Sequence, residues 1–339
     1  MSAIKRPGQP DPKQIIVFRA LQLGDMLNVV PALWALRFAF RDSRITLVGL
    51  PWSIRFVERF HRYLDDFVLF PGYPGFPEQP PAISQFPSFL RWMQAMDIDL
   101  AIQMQGSGEI SNPLISLWGA RRYAGFYLPG QYCPDPNYFL EYPEREPEVW
   151  RHLRLVEFLG IPLQGEHLEF PLFENDWKEF HQIKQECGLQ REYVCIHPGA
   201  RKQERRWPIG YFASVADGLA AYGFQIVLTG TQEEAELTAG VAQRMRARPV
   251  DLAGKTDLGV LAALIAKAHL VVSNDTGISH VATAVKTPSV ILFSAADMDR
   301  WAPGNQQLHK VIWPAMDATA AEVLAQAEKH LQEVYPHAK

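Results

Sequence analysis

Residues 270–285 constrain this chain more tightly than any other stretch. The β-branched run Leu270 to Val272 breaks into the polar turn Ser273-Asn274-Asp275-Thr276-Gly277, and apolar residues return at Ile278, Val281, Ala282 and Val285. That order reads as strand, tight turn and helix. A helix starting here points its unpaired N–H groups past the strand's end, where a phosphate or another anion is favoured. Gly277 lets such an anion approach closely. A carboxylate at Asp275 suits hydroxyls better than phosphate, so we read it as an acceptor for sugar or ribose hydroxyls; His280, one turn along, faces the same mouth. The competing explanation is that Asn274 or Asp275 merely caps the helix while His280 packs beneath it. For an isolated Asn-Asp-Thr-Gly that would be the better choice, and it is the rest of the chain that decides against it.

Strand and helix alternate from Gln14 onward. Gln14 to Arg19 is a short apolar strand, followed by a turn and a helix from about Asp25 to Phe40; further strands are expected at Arg44 to Leu50, Asp66 to Phe70, Asp99 to Gln105 and Tyr123 to Tyr127. Gly72 to Pro87 is rich in proline and glycine and is expected to be a long surface loop. Pro162 to Phe173 lacks periodicity and links two halves. The second half repeats the pattern, with strands at Tyr193 to His197, Gln225 to Thr229, Val250 to Leu252, His269 to Ser273 and Ser289 to Phe293. The expected architecture is α/β, with two Rossmann-like doubly wound domains at 1–170 and 171–315. In such sheets ligands sit at the carboxyl ends of the strands, so the natural site is a cleft across which the two domains face each other. The last segment, 316–339, holds a helix at Thr319 to Tyr335 that is a candidate for crossing back to the first domain.

Composition excludes several classes. With 33 Lys plus Arg against 37 Asp plus Glu, the net charge of −4 offers no global field for nucleic acid, so any anion binding must be local. Three cysteines without Cys-x-x-Cys spacing fit a reducing compartment and give no metal framework. Met1 to Gln14 has no apolar core of a signal peptide, and no later run is long and apolar enough to span a bilayer. A cytoplasmic protein is expected, with peripheral membrane contact left open. Among known motifs, G-x-x-x-x-G-K-[ST], H-E-x-x-H and G-x-S-x-G are absent. Gln105-Gly106-Ser107-Gly108-Glu109-Ile110-Ser111 half matches a dinucleotide fingerprint, but Ser111 replaces the third glycine and the unit is not the first of its domain, which speaks against a nicotinamide dehydrogenase.

The remaining polar signals gather at strand ends. His197-Pro198-Gly199-Ala200 ends one strand and is followed by Arg201, Lys202, Arg205 and Arg206, a cation cluster suited to a diphosphate or, alone, simply a solvated loop. Thr229-Gly230-Thr231-Gln232-Glu233-Glu234 ends the next; a glutamate there would hold ribose hydroxyls or complement a helix dipole. Leu252-Ala253-Gly254-Lys255-Thr256 ends a third. In the first half, Asp25 follows the first strand at a helix start. It reads as an N-cap or, provided Arg19 does not neutralise it, as a general base. Arg19, Arg121 and Arg122 are the candidate contacts for an anionic acceptor.

Taken in order, these residues resemble the heptosyltransferase group, family 9 of the glycosyltransferases. The resemblance rests on Arg19…Leu23-Gly24-Asp25…Pro31-Ala32-Leu33, Asp99-Leu100-Ala101-Ile102…Gln105-Gly106, Gly119-Ala120-Arg121-Arg122, His197-Pro198-Gly199-Ala200…Arg206-Trp207-Pro208, Leu252-Ala253-Gly254-Lys255-Thr256, Ser273-Asn274-Asp275-Thr276-Gly277…His280 and Arg300-Trp301-Ala302-Pro303. It implies a GT-B fold, inverting transfer from a nucleotide-diphosphate sugar such as ADP-heptose, no obligatory metal and no cofactor. The acceptor it implies is a cell-envelope glycan or glycolipid met at the inner face of the cytoplasmic membrane. Asp25 falls on the family's proposed base, Asp275, Thr276, Gly277 and His280 on its donor contacts, and Glu233 or Glu234 on its ribose-binding acid. Two departures concern the substrates: Arg205 stands where relatives usually have lysine, and Ile278-Ser279 where they commonly have Pro-Met. A GT-B-fold nucleotide-sugar epimerase and a non-catalytic nucleotide-sugar binding protein are the rival readings.

Overall fold

The structure is a computed structural model that describes residue 4 and residues 10–336. Of the opening polar segment, residues 1–3 and 5–9 lie outside the described residues, as do 337–339 at the other end. The chain divides into two compact units, Met1–His167 and Leu168–Lys339.

The first unit runs β1 (Gln14–Phe18), α1 (Leu23–Ala39), β2 (Arg44–Gly49), α2 (Ser53–Arg59), β3 (Asp66–Leu69), α3 (Phe86–Ala95), β4 (Leu100–Gln103), α4 (Ser111–Ile115), β5 (Tyr123–Tyr127), β6 (Phe139–Glu141) and α5 (Glu148–Phe158). The second runs α6 (Glu174–Glu186), β7 (Tyr193–His197), α7 (Ile209–Ala221), β8 (Gln225–Leu228), α8 (Ala235–Ala242), β9 (Val250–Asp251), α9 (Leu258–Ala266), β10 (Leu270–Asn274), α10 (Gly277–Ala284), β11 (Ser289–Leu292), α11 (Met298–Trp301), β12 (His309–Ile312) and α12 (Ala320–Val334).

Among the described residues each unit has one parallel sheet, in the orders β3-β2-β1-β4-β5-β6 and β12-β11-β10-β7-β8-β9. Read from opposite edges, these are the same doubly wound topology. Strand order reverses between β1 and β4 in the first sheet and between β7 and β10 in the second, and such switch points leave a crevice at the carboxyl ends. The near-continuous apolar runs of β1, β7 and β10 follow from burial on both sheet faces. Ile16, Phe18, Val68, Phe70, Phe89 and Trp118 centre one core of the first unit; Ile196, Phe212, Leu228, Val272 and Leu292 centre one of the second.

Several elements depart from the sequence-based expectation. α12 buries Val323, Ala327 and Leu331 in the second unit's core and packs against α7, β10, β11 and β12 of its own half. The expected loop at 72–87 ends in α3, which starts at Phe86 and holds Pro87 in its first turn, where the missing N–H costs nothing. The glycines at 106 and 108 adopt left-handed backbone, and a Cβ on Gly108 would lie 2.3 Å from the Phe126 carbonyl oxygen. The half-matched dinucleotide fingerprint is therefore a close approach of the β4–α4 loop to β5. Among the described residues no helix is long and apolar enough to cross a membrane.

Candidate active site

In the second unit the polar residues converge on the β7/β10 switch point. Asn274, the last residue of β10 and fully buried, ties two loops together: its Oδ1 accepts the Trp207 N–H at 3.0 Å, and its Nδ2 donates to the Pro198 carbonyl at 2.8 Å and the Gly199 carbonyl at 3.3 Å. The loop after β7 is thereby held against the start of α10. Arg206 fixes the same loop from within, its Nε donating to the Ala200 carbonyl at 2.8 Å. Held this way, Arg205 reaches across to Asp275, with 3.3 Å between Nη1 and Oδ2; the carboxylate is buried and the guanidinium partly exposed.

The N-cap of α10 is Thr276, in extended backbone, and its side chain makes no capping hydrogen bond. Neither Asn274 nor Asp275 is the N-cap residue, and the Asn274 side chain is instead committed to the β7–α7 loop. Gly277 opens the helix, and the N–H groups of its first turn supply positive potential. His280 is nearly buried one turn in, its ring 6.1 Å from that of Trp301, over which the Arg300 guanidinium stacks at 4.5 Å.

At the neighbouring strand end the two glutamates separate. Glu234 is bound inward: its Oε2 accepts the Thr231 N–H at 2.9 Å and lies 3.8 Å from His197 Nε2, and a Cβ on Gly199 would meet its Oε1 at 2.2 Å. Burial holds the His197 imidazole below its ordinary range, against the pull of Glu234, and His197 Nδ1 lies 3.1 Å from the Thr229 hydroxyl oxygen. Glu233 is exposed, and hydrogen bonds from its own backbone N–H and the Thr231 side chain hold its carboxyl below the usual range.

In the first unit Asp25 is the third residue of α1, one turn beyond the carboxyl end of β1; the N-cap is Gln22. Asp25 is therefore a first-turn acid and not the cap. Arg19 does not reach out to an acceptor as expected. It is fully buried, its Nε and Nη2 donate to the Asp25 carbonyl at 3.1 and 2.8 Å, and its Nη1 donates to the Met104 carbonyl at 2.5 Å. Arg121 and Arg122 are also displaced from the expected role. The strand pairs of this sheet are parallel, and both arginines precede β5, so they lie at the amino-terminal edge, opposite the edge that carries Asp25. Arg121 pairs there with Asp97 and Asp99, and Asp99 accepts the Lys13 and Gln14 N–H groups that open β1. Their motif braces the bottom of the sheet.

Sequence reasoning missed Glu148, the first residue of α5, which comes within 3.0 Å of Arg19, and the clamping role of Asn274. Glu148, Arg151 and His152 recur at helical spacing, a buried-face pattern that was available as a signal. Among the described residues no group of three or more His, Cys, Asp or Glu side chains is arranged to hold a metal ion.

Two doubly wound units, each with its polar residues gathered at a switch point, define a protein of the GT-B class. A glycosyl transferase of family 9 from Veillonella parvula superposes with a TM-score of 0.79 at 22% identity, covering 95% of this chain and 98% of that one. The structure of Escherichia coli ADP-heptose lps heptosyltransferase II gives 0.73 at 20% identity, covering 95% and 99%. The family model of glycosyltransferase family 9 (heptosyltransferase) matches residues 88–331, and the chain belongs to that family. Lipopolysaccharide heptosyltransferase 3 of Escherichia coli is 34% identical over 163 residues, 47% of this chain and 47% of the relative. The match thus spans about half the length of the curated relative.

Proposed function

We propose that this protein transfers a heptose from ADP-heptose to a hydroxyl of a lipopolysaccharide-core acceptor, by single displacement with inversion. The observation that carries the reading is the Asn274 clamp, which brings Arg205 and Asp275 together beside the first turn of α10. A guanidinium, a helix N-terminus and a histidine together suit a diphosphate leaving group, while the buried Asp275 carboxylate suits sugar hydroxyls. The similar E. coli structure is named as an ADP-heptose lps heptosyltransferase, which supports the choice of donor and acceptor class.

In this mechanism Asp25 takes the proton of the acceptor hydroxyl as that oxygen attacks the anomeric carbon. The bond from the anomeric carbon to the diphosphate oxygen breaks, and its electrons leave with ADP. Arg205, the first turn at Thr276 and Gly277, and His280 stabilise the charge that develops there. Glu233 is the glutamate we assign to the ribose, because Glu234 is already engaged by Thr231 and His197. The reaction needs no metal in this reading, since cations of the chain serve the diphosphate. The acceptor would be met in the cytoplasm, at the inner face of the membrane.

The test is product analysis with ADP-heptose, with and without a heptose-deficient lipopolysaccharide-core acceptor. Acceptor-dependent release of ADP with heptose joined to the acceptor is expected. An altered sugar nucleotide formed from donor alone would instead identify an epimerase, and binding without turnover a non-catalytic binding protein.

A further inference from the structure

A carboxylate that acts as a base must keep its proton affinity, and a guanidinium close by removes it. Arg19 stands in that position toward Asp25, yet most of its bonds go elsewhere. Two of its nitrogens hold the Asp25 main-chain carbonyl, while Nη2 lies 3.0 Å from Glu148 Oε1 and 4.0 Å from Asp25 Oδ1. Glu148 is buried at the start of α5, where the helix dipole favours its ionised form. Arg151, 3.5 Å from Oε2, and His152, 3.3 Å from Oε1, also adjoin it, both on α5 and both buried. Arg151 is further anchored by the Tyr142 hydroxyl at 2.6 Å and the Glu144 carbonyl at 2.5 Å.

We propose that Glu148 is a positioning residue that takes up the charge of Arg19, so that Arg19 fixes Asp25 through its backbone without quenching its carboxylate. This rests on the reading of Asp25 as the base. It assigns the Arg19–Glu148 pair to the reaction and not only to the packing of α1 against α5. Removing the negative charge of Glu148 turns the field of Arg19 onto Asp25 and also deletes a like charge near it. Both effects stabilise the ionised Asp25 and weaken it as a base.

The test follows the carboxyl of Asp25 by NMR in protein labelled with 13C-aspartate, assigned by the signal lost in Asp25→Asn, alongside the pH profile of heptose transfer. Glu148→Gln keeps the shape and an acceptor for Arg19 but loses the charge. Its Asp25 midpoint is expected to fall by about 1 pH unit or more, as for a carboxyl gaining an uncompensated cation within a few ångströms. The acidic limb of the rate profile should move the same way, with kcat lowered and the donor KM unchanged. Glu148→Asp should return both toward the parent.

Because Glu148→Gln leaves two buried arginines less compensated, at a cost in stability, Glu148→Gln/Arg151→Met serves as a charge-balanced companion, with a smaller shift in the same direction expected because the lost Arg151 cation offsets part of it. An Asp25 midpoint that stays put or rises in the folded variants overturns the role of Glu148, whatever the rate does. A midpoint that falls while the rate profile stays fixed upholds that role and removes Asp25 as the base.

Discussion

Asp25 and Arg205 make opposite demands on their surroundings, one needing proton affinity and the other positive charge. Asp25 is not the N-cap of α1, so Asp25→Asn keeps the cap and forfeits a first-turn dipole interaction of about 0.3–1 kcal/mol together with the charge facing Arg19 at 4.0 Å. Turnover should fall by ~10²–10⁴ with a melting temperature near the parent's, because an amide cannot accept the proton. Parental transfer rates in steady-state assays would move the base elsewhere. Arg205 is half of a pair whose other half, Asp275, is buried. Arg205→Ala should weaken ADP binding by about 1.5–3 kcal/mol, the range for a lost charge-assisted hydrogen bond. Arg205→Lys should lie between, keeping the charge without the planar fork. Calorimetric titration reads both, and equal affinity in all three proteins would separate Arg205 from the diphosphate. His280→Ala is expected to act in the same direction, and it also removes the ring packed against Trp301.

At the scale of elements, legibility followed length and burial. β10 and α10 were readable because an apolar run, a polar turn and a 3.6-residue return stand side by side. β6, three residues long, has no room for a pattern, and α6 buries only Asp176 and Phe180, too thin a stripe to see. The direction of a strand was the information missing at Arg121 and Arg122: their motif is recognisable, but only the parallel register puts them on the edge away from Asp25. The docking of α12 carries its own prediction. His309 on β12 and His330 on α12 are buried, His309 beside the Ser289 hydroxyl at 2.9 Å and His330 beside the Leu308 carbonyl at 2.8 Å, with Lys310 and Glu333 adjacent. Burial lowers both, His309 from 6.5 to about 4. The unfolded chain then binds the His309 proton first, so stability is full above pH 6.5 and is lost as pH falls toward 4, by about 3 kcal/mol for that shift. Urea unfolding of the parent and His309→Asn at pH 7 and pH 4.5 checks it: the parent should lose more stability than the variant, and equal losses would refute the assignment.

For the molecule as a whole, both units have the same strand order, yet their switch points carry different chemistry. The first offers a carboxylate whose neighbouring guanidinium is engaged more closely by Glu148, which suits proton abstraction. The second offers Arg205, the α10 terminus and exposed Arg201 and Lys202, which suit an anion. Donor binding should therefore be read out in one unit. Hydrogen exchange with saturating ADP is expected to slow amides at 198–207, 229–234 and 274–280, while those around Asp25 respond only when acceptor is added. At ~100 times its dissociation constant the ligand adds ~2.7 kcal/mol to stability, enough to raise the melting temperature by several degrees. Because the cations that would meet the diphosphate belong to the chain, EDTA should change neither that shift nor the transfer rate by more than about twofold, against the ~10²-fold loss expected if a metal carried the leaving-group charge. Full inactivation by chelator, reversed by Mg²⁺ or Mn²⁺, would mean that Arg205 and the helix terminus do not suffice, and protection appearing first around Asp25 would exchange the roles of the two units.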